Sequence, residues 1–178
     1  GEPLTGRFNP STGAVFRQAV LGAETQKIVV CGDSGYGFVT TISDMVTKNK
    51  AGKALIKLGE KAKTLTPLLT DYTEDEWLVS VTHAGKILVF PITELPKLAK
   101  GKGNRTINIK TADAKTREDF VVAHAIVKPA DTLLLHAGKK YLRLSRADLQ
   151  EHTGERARRG ASLPKGYQKV SRLEVVER

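Results

Sequence analysis

The sequence predicts an all-β protein in which about three similar sheets pack side by side. Three stretches each read as a β-rich run, a tight glycine turn and a second β-rich run, the pattern of a β-hairpin: residues 29–39, 79–89 and 133–142. The turn glycines Gly35, Gly85 and Gly138 recur at intervals of 50 and 53 residues. A repeat of that length with about four strands per unit is typical of β-blades arranged radially or in series.

The segments around each hairpin recur in the same order. A strand-like segment precedes each hairpin, at residues 14–21, 64–70 and 120–127, and a fourth copy at 170–176 has no hairpin after it. This unpaired fourth copy is explained if neighbouring blades exchange strands, so that a strand from one repeat completes the sheet of another. Two further strands are predicted beyond the hairpins, at 54–58 and 106–109. No long helix is expected, and the best candidate for a short one is residues 146–151.

These patterns divide the chain into repeats within one domain that covers residues 1–178. The repeats run from about 14–62, 63–118 and 119–166, and a terminal strand lies in 167–178. Because the chain starts at Gly1 without a methionine, we expect it to be a fragment, with residues 1–6 forming the tail of a loop from a preceding blade.

Positive charge is concentrated in three short segments. The 178 residues carry 29 Lys and Arg against 19 Asp and Glu, a net charge of +10 with an isoelectric point near 9.8. The first, second and third basic loops, residues 48–63, 97–110 and 153–172, hold six, five and six of these cations and at most one acid each. This excess predicts attraction to a polyanion: DNA, RNA or an anionic membrane face. No apolar run is long enough to span a bilayer.

The basic loops have the composition of phosphate-binding segments. Glycine lets backbone N–H groups approach an anion, and flanking Lys and Arg supply charge and release counterions. One such loop is usually a solvated surface, but three at equivalent places in a repeat would line up along one edge of adjacent blades. The cations expected to contact DNA are Lys48, Lys50, Lys53, Lys97, Lys100, Lys102, Arg105, Arg156, Arg158, Arg159 and Lys165.

Duplex DNA held through its phosphates is the nucleic acid that these loops favour. Single-strand binders use aromatic platforms, and Tyr167 is the one aromatic residue within the basic loops. The sequence contains no helix suited to reading bases in a groove, so little sequence preference is expected. A curved line of cations would also bend the duplex, at a cost of a few kcal/mol that phosphate contacts would offset.

Candidate catalytic groups are few. His83 and His136 occupy matching His-Ala-Gly-Lys turns, where Ser34 stands in the first repeat, so a turn role is favoured over a catalytic one. No His and Cys spacing resembles a zinc site, and Gly101-Lys102-Gly103 lacks the spacing of a phosphate-binding P-loop. Cys31 lies in a β-rich run and is expected in the core. The acids that follow each hairpin, Asp44, Glu94 and Asp148, are expected to cap local turns.

Several stretches resemble a known family, the C-terminal domain of the DNA topoisomerase IV A subunit (ParC), which is related to the gyrase A C-terminal domain. The resemblance lies in GYGFV at 35–39 followed by NKAGKAL at 49–55, in VFPITELP at 89–96 running into KGKGN at 100–104, in LQ at 149–150 leading to TGERARRG at 153–160, and in GEPLTG at 1–6. The order is kept over nearly the whole chain. The gyrase box QRRGGKG is absent, and its nearest versions at 100–105 and 154–160 are degenerate, which favours topoisomerase IV over gyrase.

This resemblance implies a β-pinwheel of four-stranded antiparallel blades with strand exchange, of which the chain is similar to the C-terminal part. Double-stranded DNA would lie around the positive rim and be bent, so that DNA segments are guided for decatenation and supercoil relaxation. The parent would be a bacterial, ATP-dependent type II topoisomerase, cytoplasmic and nucleoid-associated, that assembles two A with two B (ParE) subunits for chromosome segregation. Its ATP and Mg²⁺ would act elsewhere, so the resemblance implies no cofactor and no metal for this chain.

The chain itself is expected to be non-catalytic, because strand cleavage in this family uses a tyrosine beside an arginine. Here the residues before the tyrosines are Gly35, Asp71, Lys140 and Gly166. Two alternatives stay open. The chain could be a β-propeller-like interaction module whose basic loops bind an acidic partner, or a small hydrolase built on His83 or His136.

Overall fold

The structure, a computed structural model that describes residues 1–177, contains three antiparallel sheets. The strands are β1 Lys27–Gly32, β2 Tyr36–Thr41, β3 Leu68–Thr70, β4 Trp77–Thr82, β5 Lys86–Pro91, β6 Asn104–Arg105, β7 Val121–Val127, β8 Thr132–Ala137, β9 Lys140–Leu144, β10 Ala161–Ser162 and β11 Arg172–Val176. The short helices are α1 Leu4–Arg7, α2 Ile42–Met45, α3 Thr111–Thr116 and α4 Arg146–Gln150, with a 3-10 turn at Ile92–Glu94. The predicted all-β class with three hairpins is therefore confirmed.

Each sheet is one blade, and neighbouring repeats share strands. Blade 1 has the strand order β3-β1-β2-β6, blade 2 the order β7-β4-β5-β10 and blade 3 the order β11-β8-β9. Strands β3 and β6 lie on either side of the second hairpin in sequence, yet they pair with the first hairpin. Strands β7 and β10 pair with the second hairpin in the same way. The strand exchange predicted from the unpaired fourth copy is confirmed, because β11 pairs with β8 of the third hairpin.

The blades pack face to face, which explains why the hairpin strands of blade 2 are buried on both faces. Successive side chains of a strand point to opposite faces of the sheet. Along β4, Val79 and Val81 pack in one core with Leu133 of blade 3, whereas Leu78 packs in another core with Val29 of blade 1. Since both faces of blade 2 are covered, β4 shows almost continuous burial instead of alternation.

Two glycines allow the incoming edge strands to lie against the hairpins. Gly103 (φ 75°) and Gly160 (φ 78°) precede β6 and β10, in a backbone conformation that other residues rarely adopt. A Cβ atom at Gly103 would collide with the carbonyl oxygen of Gly37, and one at Gly160 with that of Ile87. The two glycines therefore occupy equivalent positions in blades 1 and 2.

Three predicted strands do not form among the described residues. Residues 14–21 form no strand. In later repeats the equivalent strand pairs with the hairpin before it, and residues 1–13 contain no hairpin. Residues 54–58 make one isolated bridge, at Ile56, and 106–109 bond alternately to two different neighbours, so neither forms a ladder. The edge strand forms just before the latter segment, as β6. The repeat boundaries given above stay a prediction.

Of the three acids expected to cap local turns, Asp148 does so, whereas at Asp44 the capping group is the Thr41 hydroxyl, which itself donates to the Asp44 carboxylate at 2.9 Å. The Asp44 amide donates to Thr41 Oγ1 at the start of α2, and Ser145 and Asp148 form a reciprocal capping box on α4. Glu94 lies in the 3-10 turn, which has no side-chain cap. The predicted helix at 146–151 is confirmed as α4. The longest helix within residues 1–177 has six residues, and none could cross a bilayer.

Candidate nucleic-acid interface

The first and second basic loops lie against each other. The amide of Lys57 donates to the Gly101 carbonyl at 2.8 Å, and the Gly101 amide donates to the Leu55 carbonyl at 2.9 Å. These two bonds form a short parallel bridge around Ile56. Segments that belong to successive repeats of the chain are thus joined by their backbones.

The second and third basic loops are joined in a similar way. The Asn108 amide donates to the Arg158 carbonyl at 2.9 Å, and the Ala157 amide donates to the Thr106 carbonyl at 3.1 Å. A side chain adds a further tie, from Arg156 Nη1 to the Arg105 carbonyl at 2.6 Å. The three basic loops therefore form one hydrogen-bonded strip, here called the basic rim.

The second and third loops begin beside β2 and β5, the second hairpin strands of two successive blades. Val39 of β2 donates to the Pro96 carbonyl and accepts from Leu98, both at 2.9 Å. Val89 of β5 donates to the His152 carbonyl at 3.1 Å and accepts from Gly154 at 3.0 Å. Because Val39 and Val89 are equivalent in the repeat, the fold presents both loops at the same edge of their blades.

The predicted cations have different surroundings within this rim. Five of the eleven are exposed side chains free to reach solvent: Lys48, Lys50, Lys100, Arg159 and Lys165. Lys53 Nζ donates to the Asp44 carbonyl at 2.6 Å, and Lys97 Nζ lies 4.3 Å from the centre of the Tyr72 ring. All of these side chains keep a full positive charge, because carbonyls and aromatic rings do not neutralise them.

Two of the predicted arginines are less available. Arg158 pairs with Glu155 at 2.7 Å, so the pair has no net charge. Arg156 is half-buried and its guanidinium bonds the neighbouring loop. Lys165 follows β10 in a turn closed by the Tyr167 amide and the Pro164 carbonyl, beyond the bonds that join the loops. The eleven predicted residues thus lie in three loops whose backbones are bonded together, and they differ in how much free charge they present.

Tyr36 belongs to the rim although its sequence position lies outside the basic loops. It pairs with Arg105 across β2 and β6, and its hydroxyl accepts from Arg105 Nη2 at 2.7 Å and Nε at 3.2 Å. Lys102 Nζ lies 3.9 Å from the ring centre. The hydrogen bond from Arg105 lowers the pKa of the Tyr36 phenol. The sequence feature that could have identified Tyr36 is its position directly after the turn glycine. Its pairing with Arg105 depends on which strands are exchanged between repeats, and the sequence does not show that.

The histidines and the cysteine occupy structural positions. His83 stacks on Phe120 with ring centres 4.9 Å apart, and His136 Nε2 lies 2.8 Å from Glu174 Oε2. Cys31 is buried as predicted, and burial raises the pKa of its thiol to about 12. Within residues 1–177, no group of three or more His, Cys, Asp or Glu side chains is arranged to hold a metal ion.

His124 is buried between blades and ties β7 to the segment that precedes β3. Its Nε2 bonds the Thr66 carbonyl, whereas Nδ1 has no partner among the described residues. Burial lowers the pKa of this imidazole from 6.5 to about 4. The folded protein therefore holds His124 neutral at pH 7.

We expect His124 to make stability depend on pH in the acid range. Below about pH 6.5 the unfolded chain binds a proton that the folded chain refuses until about pH 4, so the free energy of unfolding falls across this window by about 3 kcal/mol. Urea unfolding of the wild type and of His124→Gln between pH 7 and 4 tests this. His83→Gln is the control, since His83 is exposed. Equal pH slopes for the wild type and His124→Gln would contradict the prediction.

Comparison with known proteins identifies a family with this architecture. Residues 26–71 and 76–123, which contain the first and second hairpins, match the family described as DNA gyrase C-terminal domain, beta-propeller. The chain belongs to this family of C-terminal domains. A solved structure of the Escherichia coli ParC C-terminal domain superposes with a TM-score of 0.91 at 41% identity, covering 100% of this chain and 71% of that one.

The relatives within the family point to topoisomerase IV. The A subunit of DNA topoisomerase 4 from E. coli K12 is 42% identical over 175 residues, which is 98% of this chain and 23% of the relative. A DNA gyrase A C-terminal domain superposes with a TM-score of 0.67 at 18% identity, covering 85% of this chain and 51% of that one, and shares the fold alone. The resemblance to the ParC domain and the β-pinwheel expected from it are confirmed. The chain spans about a quarter of the curated relative's length.

Proposed function

We propose that this ParC-type domain binds double-stranded DNA along the basic rim and bends it, without catalysing a reaction itself. The observation that carries the proposal is the backbone bonding of Lys57 to Gly101 and of Asn108 to Arg158, which joins three cationic loops into one strip. Like charges held together repel one another, and a bound polyphosphate relieves that repulsion.

Phosphate contact along a strip favours duplex over single-stranded DNA. Binders of single strands stack bases on open aromatic rings. The rings of Tyr36 and Tyr72 adjoin the rim, but Lys102 and Lys97 lie over them at 3.9 and 4.3 Å. Cations on these faces leave phosphate as the group that the rim is suited to contact, and a duplex offers two rows of phosphates with little dependence on sequence.

The wider role follows from the relatives. We propose that the chain works within the A subunit of topoisomerase IV, where it guides DNA segments for decatenation and supercoil relaxation. Strand cleavage, ATP and Mg²⁺ would belong to other parts of an assembly of two A and two ParE subunits, which would act in the cytoplasm on the nucleoid. The eleven cations given above are the proposed DNA-binding residues.

A salt titration of DNA binding tests the proposal. A labelled random-sequence duplex is titrated with the protein between about 50 and 200 mM salt, and the logarithm of the binding constant is expected to fall linearly with the logarithm of salt concentration. Unlabelled single strands should compete poorly, and donor and acceptor dyes at the duplex ends should approach on binding. No binding at the lowest salt would remove the proposal, and capture of an acidic polypeptide in its place would favour the interaction module.

A further inference from the structure

We propose that Lys86 is a further DNA-contacting residue, which supplies in blade 2 the edge-position charge that Arg105 supplies in blade 1. This inference rests on the proposed function of the basic rim. Lys86 lies outside the three basic loops in sequence, as a single cation at the start of β5. Only the exchange of edge strands between repeats places it beside the rim.

Register puts the pair of Lys86 and Ser162 where blade 1 has the pair of Tyr36 and Arg105, so that Lys86 corresponds to Tyr36 and Ser162 corresponds to Arg105. In blade 1 the edge strand β6 pairs with β2 so that Arg105 lies opposite Tyr36, the residue after the turn glycine Gly35. In blade 2 the edge strand β10 pairs with β5 so that Ser162 lies opposite Lys86. Lys86 follows the turn glycine Gly85, so the two pairs coincide in the repeat.

Each pair consists of one cation and one hydroxyl, with the two strands exchanging roles. In blade 1 the incoming strand carries the cation, and Arg105 Nη2 donates to the Tyr36 hydroxyl at 2.7 Å. In blade 2 the hairpin carries the cation, and Lys86 Nζ donates to Ser162 Oγ at 2.6 Å. Both blades therefore hold one positive charge at the same edge position, although the residue types in the two strands differ.

A hydroxyl partner holds the cation without neutralising it. The Lys86 ammonium uses one of its three N–H donors on Ser162, which leaves two donors and the whole charge for a phosphate. The bond also restricts the side chain before DNA arrives, which lowers the entropy lost on binding. Arg158 shows the opposite arrangement, since its partner Glu155 cancels its charge.

The position of Lys86 next to the third basic loop completes the argument. Gly160 ends the run of arginines in that loop and packs against Ile87, the neighbour of Lys86. Gly103 packs against Gly37, the neighbour of Tyr36, in the same way just before Arg105. Lys86 therefore lies beside the middle of the third loop, as Tyr36 lies beside the middle of the second.

Binding of the labelled duplex by variants of the full 178-residue chain, each with one side chain replaced, tests this assignment. Lys86→Gln and Arg105→Gln are each expected to weaken binding several-fold and to lower the salt slope by up to about 0.9, the value of one phosphate contact. Lys86→Arg should keep both. Ser162→Ala removes the positioning hydroxyl and not the charge, so affinity should fall less and the slope should stay. Lys128→Gln, beside Asp71 at 2.9 Å, is the matched control that should change neither.

The outcomes separate this inference from the proposed function. If the wild type binds with a steep salt slope and Lys86→Gln behaves like Lys128→Gln, the role of Lys86 is overturned and the basic rim stands. If the wild type does not bind duplex at low salt, both ideas fall together. Circular dichroism melting of Lys86→Gln at an unchanged temperature, together with a lowered slope, establishes that charge and not folding was lost.

Discussion

Replacing Lys100, Lys102 and Arg105 together with glutamine is expected to weaken duplex binding on the order of a hundredfold near 0.1 M salt. Each lost phosphate contact removes the release of about 0.9 counterion, so the salt slope should fall by up to about 2.7 for the three. The loss should be similar for every DNA sequence, because phosphates are the same in all of them. The same salt titration with two unrelated duplexes measures all three quantities.

A charge-matched control separates this local effect from a change in net charge. Arg7 contacts Glu2, Lys27 and Lys128 contact Asp71, and none of the three cations lies in a basic loop. Their joint replacement by glutamine removes the same three charges and should change the slope little. The fold should survive in the test variant, since the Arg105 carbonyl that accepts from Arg156 is retained. If both triple variants lose the same affinity for the duplex, the second basic loop does not contact the DNA.

Asp33→Ala is expected to lower the free energy of unfolding by about 3 kcal/mol. The Asp33 side chain is 5% exposed and its Oδ2 accepts from Arg117 Nη1 at 2.7 Å, while Oδ1 accepts from the Lys63 amide at 2.8 Å. Removing it leaves a largely buried guanidinium without its anion. We place the effect at the lower end for a buried pair because a quarter of the Arg117 side chain reaches solvent. Urea unfolding at pH 7 measures the change.

The reason for this large effect is that Asp33 joins two blades. It follows the first hairpin strand, and Arg117 comes from the segment that leads into β7 of blade 2. Glu60→Ala is the matched control, since Glu60 and Lys115 form an exposed pair at 4.0 Å that should contribute less than about 1 kcal/mol. Comparable losses for the two variants would show that the Asp33 pair carries no special stability.

The hairpins and their repeat could be predicted because both depend on residues that lie close together in the sequence. Glycines at 35, 85 and 138 mark the turns, and the β-rich runs beside them are long enough to identify. The strands at 14–21, 54–58 and 106–109 were predicted wrongly for a physical reason. A strand forms only where a partner edge is available, and that edge comes from another repeat.

The candidate site likewise has features that could be predicted from the sequence and features that could not. The concentration of Lys and Arg in three loops could be counted from the residues alone, and the loops do adjoin. The neutralisation of Arg158 by Glu155 and the ties of Tyr36 to Arg105 and of Lys86 to Ser162 could not. These last two pairs join residues 69 and 76 positions apart, which no local pattern relates.

Composition and periodicity by themselves determined that this chain is a β protein of repeated hairpins with cationic loops, since turn glycines, apolar runs and charges act over a few residues. Tertiary structure alone decided which repeat completes which sheet. It also decided which cations share a surface and which of them keep their charge. The physical reason is that edge-strand pairing and side-chain contacts depend on distances in space, and strand exchange makes the nearest neighbours of a residue lie one repeat away in the chain.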